Sequence, residues 1–270
     1  MYIYKRTKKY VASKDSDLIG LRQALVIWFE MFKLLFYFIW HRQLNPLVHL
    51  AKKNNKKCVF TVLIGDYDDL NSPKVVTPGW DYICLTNNPK LTSDIWQIVF
   101  VTDEDLDPIR LSRKYKICNH LIDSKYDISI YIDANICIKG NLDHFLNIAW
   151  HESSNIAILY HPYHTDVSEE FNACLARCLD SKDTLIKQEE DYKKMGFQDI
   201  FPQVNNRLII RRPNHKSLKK LMINWFDQLL KYSYRDQLSF NYVLENQTDI
   251  QVDYIEYWKF SAYFLKKDHK

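Results

Sequence analysis

Asp127-Ile128-Ser129-Ile130-Tyr131-Ile132-Asp133-Ala134-Asn135-Ile136-Cys137-Ile138 is the stretch on which the fold reading turns. Its β-branched and aromatic run is closed by an acid, one small residue and a second oxygen-bearing side chain. That pattern predicts a buried strand delivering Asp133 and Asn135 at its carboxyl end. Open α/β sheets bind ligands at that edge. Residues i and i+2 of an extended chain point the same way, so the Asp133 carboxylate and the Asn135 amide oxygen can reach one hard cation, and Ala134 leaves room for a diphosphate. A plain strand cap entering a turn fits the same residues.

Working outward, the 270 residues are 47% hydrophobic and 14% aromatic, enough for one sizeable core and not the composition of a disordered chain. Five glycines leave no Gly-rich phosphate loop, so a nucleotide has to be held in another way. The six cysteines lie mostly inside apolar patterns without Cys-x-x-Cys spacing, which predicts reduced, buried thiols and a cytoplasmic protein. Cys174 and Cys178, four apart on a predicted helix, read as core rather than as a metal pair. Charge is uneven: residues 1–57 carry +9 and the remainder −5. A basic arm is thus joined to a mildly acidic body, which excludes a nucleic-acid partner for the body.

Residues 18–50 are long, helical in character and rich in Trp, Phe and Tyr, but Arg22, Glu30 and Lys33 interrupt the apolar run. The interruption disfavours a spanning helix and predicts contact with an anionic membrane surface, as a peripheral protein at the inner face. Packing on the domain or on a second copy in a homo-oligomer is the alternative. Asn45-Pro46 and the Lys/Asn run at 52–57 mark a boundary, giving an arm at 1–57 and a domain at 58–270.

In the body, strands are predicted at 58–65, 80–89 with a polar end, 95–100, 155–160, 206–213 and 250–254, the second and third with the look of parallel sheet members. Gly65, followed by Asp66-Tyr67-Asp68, permits a sharp turn where an acid or ring can meet a base or ribose. Asp107-Pro108 opens a helix on which Arg110, Arg113 and Lys116 share a face, positioned to meet a diphosphate or Asp133. Residues 167–194 read as helical segments, and 217–232 as an amphipathic helix. The last predicted helix starts at 235, with Asp236 and Gln237 in its first turn. His161 and His164 fall in a strand-exit loop.

Gly65-Asp66-Tyr67-Asp68, Gly79 to Cys84 with Thr86-Asn87, Ser112 to Ile117, Tyr131-Ile132-Asp133-Ala134-Asn135, His161-Pro162 with Glu170, and Arg235 to Phe240 occur in that order. The ordered set resembles a glycosyltransferase-like domain family first catalogued as domain of unknown function 616, with plant mucilage-related and bacterial members. That family is similar to the GT-A glycosyltransferases of family eight. The resemblance implies a GT-A-like (Rossmann-like) α/β fold, a mixed, mainly parallel sheet flanked by helices.

It also implies transfer of a sugar from a nucleotide diphosphate sugar to the hydroxyl of a glycan or glycolipid acceptor, with retention. Inversion, with Asp236 or Glu170 as the base, is the alternative. The Ile-, Lys- and Asn-rich composition with reduced cysteines points to a bacterial cytoplasmic enzyme of surface polysaccharide synthesis. A divalent cation (Mn2+ or Mg2+) would be held by Asp133, Asn135 and His269, with Asn135 standing where the family-eight motif has a second Asp. Asp236 and Gln237 match residues that face the transferred sugar, although Leu238 replaces a further acid. Gly65, Asp66, Tyr67, Thr86, Asn87, Arg113, Lys116 and Asp133 are the donor-binding candidates, and His161 and Glu170 lie on the acceptor side. A catalytically inactive nucleotide-sugar-binding scaffold and a membrane-lipid-modifying hydrolase are the alternatives, the latter lacking any Gly-x-Ser-x-Gly or His-Glu-x-x-His.

Overall fold

A computed structural model describes residues 55–65 and 67–269, except the Asp123 side chain, together with Trp28 and Phe32. The chain divides into residues 1–47 and 48–270. In the first unit, Trp28 and Phe32 are exposed and their rings stack with centroids 5.9 Å apart. The rest of the segment expected to meet a membrane or a partner lies outside the described residues, as does Asp66. Among the described residues no helix is long and apolar enough to cross a membrane.

In the second unit the strands are β1 (Lys57–Leu63), β2 (Trp80–Thr86), β3 (Gln97–Phe100), β4 (Ile128–Ile132), β5 (Ile136–Ile138), β6 (Ile156–Tyr160), β7 (Val204–Arg211), β8 (Val252–Ile255) and β9 (Phe264–Lys266). Among the described residues a seven-stranded sheet runs β3-β2-β1-β4-β7-β6-β8, and β5 pairs with β9 separately. All neighbours in the large sheet are parallel except β7, which is antiparallel to both β4 and β6. The sheet is therefore mixed and mainly parallel, an α/β Rossmann-like arrangement consistent with a GT-A-like fold. Strand order reverses between β1 and β4, and ligands bind at such a switch point in open sheets.

The alternation of apolar side chains shows why both faces are covered. Cys58, Phe60 and Val62 of β1 enter one core with Tyr131, Ile209 and Trp225. Val59 and Leu63 enter the other with Ile130, Ile210 and Phe145. The first core is roofed by α1 (Pro108–Ile117) and α6 (Lys216–Lys231), the second by α3 (Leu142–Ala149) and α8 (Tyr257–Tyr263). Asp107 caps α1 by accepting from the backbone N–H groups of Ile109 and Arg110, with Pro108 in the first turn as the sequence predicts. A short α2 (His120–Asp123) precedes β4, and α4 (Val167–Ala176) and α5 (Lys182–Lys194) build a third small core around Phe171, Cys174, Leu185 and Leu238. All six cysteines are free thiols, and only Cys178 is exposed.

Two expectations need correction. The run at 127–138 is not one strand: after β4 the chain turns at Asp133, with the Ile136 N–H bonded to the Asp133 carbonyl at 2.9 Å, and β5 leaves for the second sheet. Asp133 and Asn135 therefore lie in a turn and not in an extended strand. The helix expected from 235 is a short 3-10 turn at Asp236–Leu238 followed by α7 (Phe240–Glu245), and it is not the last, since α8 follows.

Candidate functional site

The carboxyl ends of β1, β2, β4 and β6 and the amino end of β7 form one edge, and most of the sequence candidates gather there. Asp133 follows β4 directly, its N–H held by the Arg207 carbonyl at 2.9 Å. Its side chain stays about one-third exposed, while Tyr131 Oη donates to Oδ1 at 2.8 Å and Lys116 Nζ lies 3.6 Å from the same oxygen.

Lys116 and Arg113 project from α1 toward Asp236 in the 3-10 turn. Lys116 Nζ lies 2.6 Å and Arg113 Nε 3.5 Å from Asp236 Oδ2, and Asp236 is buried. Burial works to raise the Asp236 pKa, but the Lys116 and Arg113 charges outweigh it and hold the carboxyl well below the usual range. Arg110 does not join them. Its guanidinium bonds Asp107 and the carbonyls of Leu229 and Tyr232, because an interval of three drifts around a 3.6-residue helix. Gln237, beside Asp236, donates to the Val204 carbonyl at 3.1 Å at the start of β7.

His269 follows β9, and the β5–β9 ladder carries it back to the turn after β4. Lys267 N–H bonds the Asn135 carbonyl at 2.9 Å, and Asn135 Nδ2 donates to the Lys267 carbonyl at 3.1 Å. His269 Nε2 lies 3.4 Å from Asn135 Nδ2, while Nδ1 is 2.9 Å from Asp68 Oδ1. Asp68 thus orders the imidazole with Nδ1 protonated and leaves the Nε2 lone pair facing the turn, the arrangement a carboxylate imposes on a metal-ligating His. With its amide nitrogen committed to Lys267, Asn135 has its carbonyl oxygen to offer. A carboxylate, an amide oxygen and an imidazole nitrogen are donor types that suit a divalent cation; the structure sets His269 against Asn135, two residues after Asp133. Sequence reasoning passed over Asp68; only its place in the Gly65–Asp68 motif pointed to it.

On the β1–β2 side, Gly65 takes φ of +73° where the chain leaves β1, and its N–H bonds Asn87 Oδ1 at 2.9 Å. Thr86 is buried and its Oγ1 accepts from Asn88 N–H at 3.1 Å. Tyr67 is exposed, its ring centroid 4.8 Å from that of His269. A cavity of about 230 Å³ opens beside Asn87, lined also by Thr102, Asp103, Leu106 and Leu111.

His161 and Glu170 also meet, and His164 joins them. The loop after β6 folds so that His164 N–H and Tyr163 N–H donate to His161 Nδ1 at 2.7 and 3.3 Å. His164 Nδ1 bonds Glu170 Oε2 at 2.5 Å, and His161 Nε2 is 3.8 Å from the same oxygen. Arg235, next to Asp236, approaches Glu170 Oε1 at 3.8 Å. Gln203 stitches this loop to the Asp236 turn, accepting from His161 N–H at 2.8 Å and donating from Nε2 to the Gln237 carbonyl at 3.3 Å. Burial and the neighbouring His164 push the His161 pKa down to about 3, so His161 is neutral at pH 7.

A family model described as the TOD1/MUCI70 glycosyltransferase-like domain matches residues 82–267. The matched stretch holds Asp133, Asn135, His161, Glu170, Asp236 and Gln237, and leaves Gly65, Tyr67, Asp68 and His269 outside. No curated protein matches the chain.

Proposed function

Because the chain belongs to the TOD1/MUCI70 glycosyltransferase-like domain family, we propose that it transfers a sugar from a nucleotide diphosphate sugar to the hydroxyl of a glycan or glycolipid acceptor. The observation that carries this reading is the Asp133–Asn135 turn, set at the sheet's switch point with His269 against it and the Lys116, Arg113 and Asp236 group beside it.

Each part has a role in that reaction. The cavity beside Asn87 takes the base, with Gly65 and Tyr67 near the ribose. Lys116 and Arg113 supply fixed positive charge toward the diphosphate, and charge held in advance stabilises a leaving anion without reorganisation. Asp133, Asn135 and His269 would hold a divalent cation, Mn2+ or Mg2+, whose chemistry when bound is to neutralise the departing diphosphate and fix its orientation. Asp236 and Gln237 orient the transferred sugar. Asp236 is engaged by two cations, which suits orientation better than proton abstraction.

Retention is the outcome implied by the family-eight likeness, whereas a base on the acceptor side gives inversion. The product anomer distinguishes them. We further propose that residues 18–50 hold the domain, residues 58–270, against an anionic membrane surface, which suits a peripheral enzyme of surface polysaccharide synthesis at the cytoplasmic face.

The test is a panel of nucleotide diphosphate sugars incubated with the full chain, with and without Mn2+, following binding and slow release of the nucleoside diphosphate. Release of one nucleotide that depends on Mn2+ and is lost in Asp133→Ala is the expected result. Tight binding of a nucleotide sugar without release, even with acceptors supplied, would replace the enzyme by a binding scaffold.

A further inference from the structure

Resting on the transfer reading, we propose that His164, held by Glu170, is the catalytic base that takes the proton of the acceptor hydroxyl. Three titratable side chains meet in the loop after β6, and their hydrogen bonds assign each a different part.

Glu170 is a buried carboxylate crowded by donors. His164 Nδ1 bonds it at 2.5 Å, Arg235 approaches at 3.8 Å and Cys174 Sγ at 3.7 Å. Burial works to raise its pKa, and the His164 hydrogen bond with the surrounding positive charge outweighs it, so the carboxyl stays ionised. It is spent as an acceptor for these donors and is a poor proton acceptor itself. Asp236, on the neighbouring turn, is engaged by Lys116 and Arg113 in the same way.

His161 is closed as well. Its Nδ1 receives two backbone N–H groups, so the neutral ring must carry its proton on Nε2. A ring in that tautomer has no lone pair left to give. This also decides against a metal here: His161, His164 and Glu170 are grouped closely enough to ligate an ion, but His161 could bind through Nε2 only as an imidazolate.

His164 is the remaining group. Donating Nδ1–H to Glu170 fixes the tautomer in which Nε2 holds the lone pair, and its side chain is 20% exposed and so within reach of a ligand. The ring stacks on His161 with centroids 4.2 Å apart, which sets its orientation. A carboxylate behind an imidazole is the arrangement that orders a general base and stabilises the imidazolium it becomes. Arg207 and Arg177, acting on His161, Glu169, whose carboxylate accepts from Thr165 N–H at 2.6 Å, and Asp166, which accepts from Glu169 N–H at 2.9 Å, are further charged groups around the loop.

The step balances without a further reagent. The acceptor O–H bond breaks and its proton passes to His164 Nε2. The oxygen bonds to the anomeric carbon, and the bond from that carbon to the diphosphate oxygen breaks, its electron pair leaving with the nucleoside diphosphate. The imidazolium then returns its proton to solvent. Attack opposite the leaving group inverts the anomeric centre.

The experiment uses the full chain with uridine and guanosine diphosphate sugars and Mn2+, water serving as acceptor, and follows nucleoside diphosphate release against pH. His164→Gln should lower the rate by about 100-fold or more while uridine diphosphate affinity and melting temperature stay at wild-type values. Glu170→Gln should lower it less and move the acidic limb of the pH profile. Equal rates for wild type and His164→Gln, or a retained initial anomer, would overturn the role of His164 alone. Release from no donor by any of the three proteins would overturn the transfer reading beneath it. Histidine nitrogen NMR of the ligand-free chain gives a separate reading: protonated Nε2 on His161 and protonated Nδ1 on His164 are expected. Stoichiometric perturbation of both rings by Zn2+ would replace the base by a metal site.

Discussion

Lys116 Nζ and Asp236 Oδ2 lie 2.6 Å apart inside the protein, both side chains less than a tenth exposed. Removing one member of such a pair strands the other charge. Lys116→Met should destabilise the fold by about 3–5 kcal/mol, as read by urea unfolding at pH 7. Lys116→Met combined with Asp236→Leu should recover only part of that loss, because the stranded carboxylate is gone but Arg113 loses its partner. A single variant as stable as wild type would mean that Arg113 alone satisfies Asp236.

The pH dependence of stability follows from two depressed pKa values. The carboxyl of Asp236 has a folded pKa below its unfolded value of about 3.9. It contributes stability that is fully present above that value and lost as pH falls toward the folded one. His161 acts at milder pH. The unfolded chain takes up its proton near pH 6.5 and the folded chain not until about 3, so stability falls as pH drops through that window. The slope from this one group is at most about 1.4 kcal/mol per pH unit. His161→Gln should flatten the urea midpoint between pH 6.5 and 4, and an unchanged slope would show that His161 protonates freely in the fold.

Asp68→Asn tests the imidazole geometry. The variant removes the carboxylate behind His269 Nδ1 and should weaken Mn2+-dependent uridine diphosphate binding by about 10–100-fold, measured by calorimetry, at unchanged melting temperature. Full affinity would place His269 outside the cation site.

At Gly140 two backbones pass too closely for a side chain. A Cβ there would meet Tyr263 Cδ1 at 2.5 Å and Tyr263 Cα at 3.2 Å. Gly140→Ala should cost about 1–3 kcal/mol. Adding Tyr263→Ala should restore only part of it, since the backbone of residue 263 still stands in the way. Full restoration in the double variant would mean that the ring alone sets the approach.

Deleting residues 1–50 should release the protein from liposomes containing anionic lipid in a sedimentation assay. Undiminished sedimentation of the shortened chain would refute the membrane role given to the arm.

The large sheet was legible because its strands are apolar on both faces, and apart from the run at 127–138 each predicted strand matches an observed one to within three residues. Strand direction was not legible: Val204-Asn205-Asn206-Arg207-Leu208-Ile209-Ile210-Arg211 alternates identically whichever way it runs, and only the connections before and after it make it antiparallel. The break at Asp133 was hidden because Ile136-Cys137-Ile138 prolongs the apolar pattern while pairing with a different strand, β9. The candidate site divides in the same way. Asp133, Lys116 and Asp236 stand out because charged groups at the ends of buried elements are conspicuous. Asp68 and His164 do not, since each takes its part from one partner, His269 in the first case and Glu170 in the second, and nothing local marks that pairing.

The pairing of β5 with β9 also fixes when the site can exist. Asn135 and His269 are 134 residues apart in sequence. At ribosomal rates of about 5–20 residues per second, roughly 7 to 27 seconds separate their synthesis. Throughout that interval the nascent chain carries the Asp133 turn without the imidazole that completes it. On the reading proposed above, a growing chain therefore lacks a finished cation site, and metal-dependent donor binding is expected only once the segment after α8 folds back onto the turn.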